Sequence, residues 1–193
     1  NSNDLSYILR GQVLKIRLSG YYTTINNATE ISRYYADITS GSGDQGNALV
    51  AEVLSGINKS YKGLELGAEV KITPTLSATA VGSYGDYRIT NNPKVLTADD
   101  TTVKNFGNPI RDFGTANLKD YKVAGTPQKA YSFGLRYNST KFWWIGANAN
   151  YLDETYIDVS PLLRTNNFYK NPEDPQGLPF FGATEAEGKE LLR

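Results

Sequence analysis

The sequence predicts an all-β protein: a segment of an antiparallel transmembrane β-barrel with short periplasmic turns and long extracellular loops. Three observations point there. Several stretches of about ten residues alternate between apolar and hydrophilic side chains, the period of strands whose successive side chains face opposite ways. The hydrophilic positions are small or charged, as a water-filled or plugged interior requires. The connections alternate between very short and very long, the layout of an outer-membrane barrel.

The totals narrow the chemistry. The chain has 193 residues, enough for one domain. Lys+Arg and Asp+Glu are 20 each, so the net charge is zero. That argues against a nucleic-acid partner, which normally selects a basic excess. There is no cysteine and no histidine. Disulfides, thiolate metal sites, histidine zinc sites and Ser-His-Asp or Cys-His catalysis are therefore excluded within this chain. No enzyme activity and no cofactor are expected. No apolar run approaches the ~20 residues of a membrane helix, but barrel strands alternate and escape that test. The chain begins at Asn1 without Met or a signal peptide, which suggests a processed product or an excised piece.

Taken in order, residues Asn1 to Gln12 read as an opening turn. Val13 to about Thr24 is a strand. Leu14, Ile16, Leu18, Gly20 and Tyr22 share one face, with Lys15, Arg17, Ser19 and Tyr21 on the other. Cations on that second face suit a wet lumen and not lipid. The pattern dissolves from Asn26 to Ser60, where ITSGSGDQGN (Ile38 to Asn47) is a loop. Its flanks, Ala28 to Tyr35 and Leu49 to Ile57, could extend the strands beyond a membrane.

The clearest hairpin runs from Tyr61 to Tyr87. Leu64, Leu66, Ala68, Val70 and Ile72 oppose Gly63, Glu65, Gly67, Glu69 and Lys71. Thr73-Pro74-Thr75 breaks the pattern, and proline suits the corner because it fixes φ and offers no ladder donor. Leu76, Ala78, Ala80, Gly82 and Tyr84 then oppose Ser77, Thr79, Val81, Ser83 and Gly85. A second long excursion, from Thr90 to about Pro127, is rich in turn formers such as Asn91-Asn92-Pro93, Gly107-Asn108-Pro109 and Gly125-Thr126-Pro127.

Gln128 to Tyr137 and Lys141 to Tyr151 form the next pair of strands, joined at Asn138-Ser139-Thr140. Tyr131, Phe133, Leu135 and Tyr137 share a face, as do Trp143, Ile145, Ala147, Ala149 and Tyr151. Tyr137, Phe142 and Trp143 gather at the turn end, and Tyr151 and Tyr156 at the other. Aromatic side chains at both ends match the girdles at two membrane interfaces. A third long excursion runs from Asp153 to Arg193, with a short helix expected over Thr184 to Leu192 behind a capping box.

Two segments carry a family resemblance. YKGLELGAEVKITPTLSATAVGSYGDYRITNNP (Tyr61 to Pro93) and VAGTPQKAYSFGLRYNSTKFWWIGANANYLDETYIDVSP (Val123 to Pro161) resemble the C-terminal barrel region of TonB-dependent outer-membrane receptors. The nearest look is to the Bacteroidetes type with a carboxypeptidase-like regulatory domain. Gly125-Thr126-Pro127 and the run from Asn150 to Asp158 are the most characteristic pieces. The resemblance implies a large barrel occluded by a plug, and energised uptake of a scarce small-molecule, glycan or peptide ligand through a TonB partner. It places the chain in the cell outer membrane of a Gram-negative bacterium, against outer-membrane lipid and the rest of its own barrel and plug. By that comparison residues 1–193 are a fragment: no plug, no TonB-contacting segment and no C-terminal strand is present.

Asp99-Asp100 and Glu173/Asp174 could hold calcium, but without the spacing of a calcium loop they read as solvated charge. Glu65 and Glu69 could pair as glycosidase carboxylates, but a polar lumen wall explains them more simply. The better functional candidates are aromatic residues in the long excursions: Tyr34, Tyr35, Phe106, Phe113, Tyr121, Phe168, Tyr169, Phe180 and Phe181. Exposed rings give large contact area at low entropy cost; alternatively they pack the excursions together. Two further readings stay open: a structural or adhesive outer-membrane barrel, and a soluble secreted carbohydrate-binding β-sandwich.

Overall fold

Alternating sequence becomes a ladder of paired strands. The structure, a computed structural model, describes residues 1–39, 45–98 and 110–168, with backbone alone at 36–39 and 45–48. The strands are β1 (Ser2–Arg10), β2 (Leu14–Thr39), β3 (Gln45–Lys71), β4 (Leu76–Ile89), β5 (Lys94–Ala98), β6 (Ile110–Thr115), β7 (Lys129–Asn138) and β8 (Trp144–Asp153). A 3-10 turn follows at Leu162–Arg164. They form one 8-stranded antiparallel sheet with the path β1-β2-β3-β4-β7-β8; β5 pairs with β3, and β6 with β5. Among the described residues the path ends on β1 at one side and β8 at the other, so the sheet is not closed.

The register keeps like faces together. In the β4–β7 pair, Ala78 faces Leu135, Ala80 faces Phe133 and Gly82 faces Tyr131. In β7–β8, Tyr131 faces Tyr151 and Leu135 faces Ala147. In β1–β2, Leu5 faces Gly20 and Tyr7 faces Leu18. The hydrophilic partners align in the same way, Ser132 with Asn150 and Ser6 with Ser19. A one-residue slip would exchange the two faces throughout.

Short turns close three of the hairpins. The Gly11 N–H donates to the Leu14 carbonyl at 2.8 Å, closing β1 to β2. At Thr73-Pro74-Thr75 the Thr73 hydroxyl accepts from the N–H groups of Thr75 (3.3 Å) and Leu76 (2.9 Å), a side-chain substitute for a backbone turn. Between β7 and β8 the Ser139 N–H donates to the Trp143 carbonyl at 2.8 Å, and Phe142 takes a positive φ of 61°.

Several expectations are corrected. Residues 2–10 are a strand rather than an opening turn, because the Asn3, Leu5, Tyr7, Leu9 row finds a matching row on β2. The flanks Ala28 to Tyr35 and Leu49 to Ile57 do extend the strands, as their sequence allowed: β2 and β3 run 26 and 27 residues. The excursion after Ile89 holds two strands, β5 and β6, that pair with each other and, through β5, with the Ala51–Ser55 part of β3. β8 begins at Trp144, since the wider turn through Phe142 takes up Lys141 to Trp143. The helix expected at Thr184 to Leu192 lies outside the described residues.

The chain divides into two units. The first comprises 1–24, 59–88 and 122–158; the second comprises 25–58, 89–121 and 159–193.

Candidate functional site

Two faces of the first unit carry its chemistry. One is apolar and open. Leu5, Tyr7, Leu18, Leu64, Leu66, Phe133, Leu135 and Ile145 are all exposed although the register groups them on one face. Of the whole face only Ala78 is buried, at 8 %. Aromatic rings bound this face at each end. Near the short turns Tyr137 and Trp143 meet with ring centroids 5.5 Å apart. At the other end Tyr131 and Tyr151 stack at 6.3 Å. Tyr131 also lies across Gly82, where a Cβ would come within 3.2 Å of its ring. From Trp143 to Tyr151 is eight residues, or about 26 Å of strand at ~3.3 Å per residue.

Beyond the tyrosines the same face becomes charged. Asp86 sits among three cations: Lys122 at 2.5 Å, Arg88 at 2.6 Å and Lys62 at 3.4 Å. Lys129 bonds Glu154 and lies 5.7 Å over the Tyr84 ring.

The opposite face is hydrophilic. Lys15 pairs with Glu69 at 3.2 Å, and Arg17 donates to the Ser19 hydroxyl at 3.2 Å. Glu65 lines a shallow depression with Arg17, Ser19 and Ser83. Glu69 is thus ion-paired while Glu65 lines the depression on the same polar face. The Tyr21 and Tyr87 hydroxyls meet at 2.5 Å, and the Tyr61 ring tilts against Tyr87 at 5.4 Å. Arg136 covers Trp144 at 4.6 Å, which lets that large ring stand on a polar face. Buried Gln128 ties the Tyr87 N–H through its Oε1 at 2.8 Å.

The second unit is built differently. Leu54, Ile57, Val95, Phe113, Ala116 and Leu118 form a buried cluster, with Ala28, Ile89, Tyr121, Val159 and Leu162 packed against it. Asparagine side chains fasten it. Asn91 accepts from the Asn58 N–H at 2.9 Å and donates to the Gly56 carbonyl at 2.7 Å. Asn92 accepts from the N–H groups of Leu118 and Lys119. Buried Glu52 accepts from the Tyr34 hydroxyl at 3.0 Å and from the Leu162 N–H at 3.2 Å.

The candidate ligand-contacting aromatics scatter. Tyr34 and Tyr35 are exposed on β2 rather than in a loop, and Tyr34 is held by Glu52. Phe113 follows the packing alternative: at 5 % exposure it belongs to the buried cluster. Tyr121 packs on the same cluster, its ring 5.7 Å from the Arg164 guanidinium. Phe168 is half-buried. Phe106, Tyr169, Phe180 and Phe181 lie outside the described residues, as do Asp99, Asp100, Glu173 and Asp174. Sequence reasoning missed Glu52 and the Asp86 cluster. The first carries no local signal; the second was legible as Lys62, Asp86 and Arg88 breaking the apolar row just past Leu64 and Tyr84.

No protein-family model, no curated protein and no solved structure matches this chain.

Proposed function

We propose that this chain is part of the barrel wall of a TonB-dependent outer-membrane receptor, whose apolar face meets lipid and whose polar face lines the interior. One observation carries the membrane part: a register-matched apolar face spanning β1, β2, β3, β4, β7 and β8 stays exposed and is bounded by aromatic rings at both ends. Eight residues of tilted strand between Trp143 and Tyr151 rise about 20 Å, near the ~25 Å apolar band of such barrels. Three short turns at the same end of the strands agree with a periplasmic side. Further strands, pairing at the edges of β1 and β8, would close the wall.

Energised uptake rests on the family resemblance of Tyr61 to Pro93 and Val123 to Pro161. Its test is twofold. The full-length protein should require detergent for extraction and migrate faster on a gel unboiled than boiled. It should also be captured by the periplasmic domain of TonB. Detergent dependence without TonB capture would leave a structural or adhesive barrel. Release in buffer alone, with no heat shift, would replace the membrane reading by a soluble sheet protein.

A further inference from the structure

We propose that the first unit carries a seat for an anionic lipid on its apolar face: an acyl groove over Gly20 that ends under the Lys62, Asp86, Lys122 cluster. The proposal rests on the membrane reading above and adds a ligand to it. A groove of about 610 Å³ runs over this face, bordered by Leu5, Tyr22, Leu64 and Tyr84. It exists because Gly20 presents no side chain between Leu5 and Leu64; a Cβ there would come within 3.3 Å of Leu64 Cδ2. The lining there is predominantly apolar, as an alkyl chain requires.

The groove reaches Lys62 and Asp86 at its charged end. Asp86 holds Lys62 and Lys122 together through different oxygens, Oδ2 at 3.4 Å and Oδ1 at 2.5 Å. Two ammonium groups against one carboxylate leave a positive excess. The Lys62 side chain is 59 % exposed, and its contact to Asp86 is the longest of the three. An ammonium has three donors, so Lys62 can hold Asp86 and still offer donors outward. The charge lies just past Tyr84, at the depth where lipid phosphates sit above an aromatic girdle. Charge complementarity therefore selects a net-anionic lipid with a phosphate in its head group over a zwitterionic one.

The experiment is native mass spectrometry of the detergent-solubilised full-length protein titrated with phosphatidylglycerol or phosphatidylcholine. Phosphatidylglycerol should be retained about fivefold or more tightly, the worth of one interfacial cation. Lys62→Gln should remove most of that preference, whereas Lys71→Gln on the opposite face should leave it intact. Gly20→Leu should fill the groove and weaken both lipids, with Leu64 able to yield. Inorganic phosphate alone should not displace the lipid. Equal retention of the two lipids by the unsubstituted protein would overturn the proposal, as would a folded Lys62→Gln variant with full preference; heat-modifiable mobility reports folding. Either result leaves the membrane reading standing. A protein that needs no detergent would end both.

Discussion

The two units share strands β2 and β3, yet they treat apolar side chains in opposite ways. In the second unit Leu54, Ile57, Val95, Phe113, Ala116 and Leu118 are buried against one another; in the first, Ala78 alone of the described apolar side chains is buried. The second unit closes its own core in the manner of a water-soluble protein, with β5 and β6 laid beside β3. The first presents an apolar face with no layer of protein over it among the described residues. Exposed apolar area costs on the order of 25 cal/mol per Å² in water, so such a face is sustained only if something else covers it. On the reading proposed here lipid does, and the comparison becomes one between a core made by protein and a core completed by solvent.

The largest test of that contrast is in the second unit. Phe113→Ala should destabilise it by about 3–5 kcal/mol, since the ring fills a closed cluster. Urea unfolding of the full-length protein in detergent, followed by tryptophan-independent near-ultraviolet circular dichroism, would read the loss. A cost under about 1 kcal/mol would mean that the cluster is not a true core. Next comes Leu66→Lys on the apolar face. Leu66 is 47 % exposed, so the change would cost almost nothing in water. Facing lipid near the middle of the band it should cost about 2–4 kcal/mol. Refolding into lipid vesicles, scored by the heat-shifted band across a urea series, separates the two cases. Near-zero cost in vesicles would break the contrast.

The first unit was far more legible in sequence than the second, for physical reasons. A strand with lipid on one side and water on the other must alternate strictly, so Leu64 to Ile72 and Leu76 to Tyr84 display their faces at sight. β1 was hidden because Tyr7, Ile8 and Leu9 are consecutive apolar residues that blur the period, and its matching row lies on β2. β5 and β6 are only 5 and 6 residues long, too short to show a period. They lie among turn formers, and Asn91 and Asn92 do bend the chain; their side chains, however, also staple distant backbone at Gly56, Asn58 and Leu118. Such pairing is non-local, and residue type alone does not disclose the partner. The aromatic candidates divide on the same ground. Tyr34 and Tyr35 remain on the surface, whereas Phe113 belongs to a core that depends on those long-range contacts.

Polar burial sharpens the comparison further. Tyr34→Phe should cost the second unit about 1–3 kcal/mol by removing a donor from buried Glu52. The Tyr34 hydroxyl is pushed up to about 12, mainly by burial and next by the Glu52 carboxylate. A raised pKa means the folded state favours the neutral phenol. Its stabilisation is intact below the usual value near 10 and is lost as pH climbs from there toward 12. Unfolding curves at high pH should therefore show a decline that Tyr34→Phe abolishes. A variant that declines like the parent would assign the effect to other tyrosines.

The smallest expected effect is at Asp112, also in the second unit. Burial works to raise its carboxyl, but Lys94 at 2.6 Å and the Gly114 N–H at 2.9 Å outweigh it and hold it below the ordinary carboxylate range. A depressed pKa gives the opposite sign to Tyr34. The stabilisation is present above about pH 4 and fades as pH falls below it. Both partners are about half exposed, at 53 % and 50 %, so water screens the pair and the loss should stay under about 1 kcal/mol. Asp112→Asn should flatten the acid side of the stability curve by that amount while keeping the Gly114 N–H bonded to the amide oxygen. High salt should mimic the substitution in the parent protein, because a screened surface pair weakens with ionic strength. Indifference to both salt and substitution would show that β5 and β6 are held by their ladder and the Phe113 cluster, with the ion pair adding nothing.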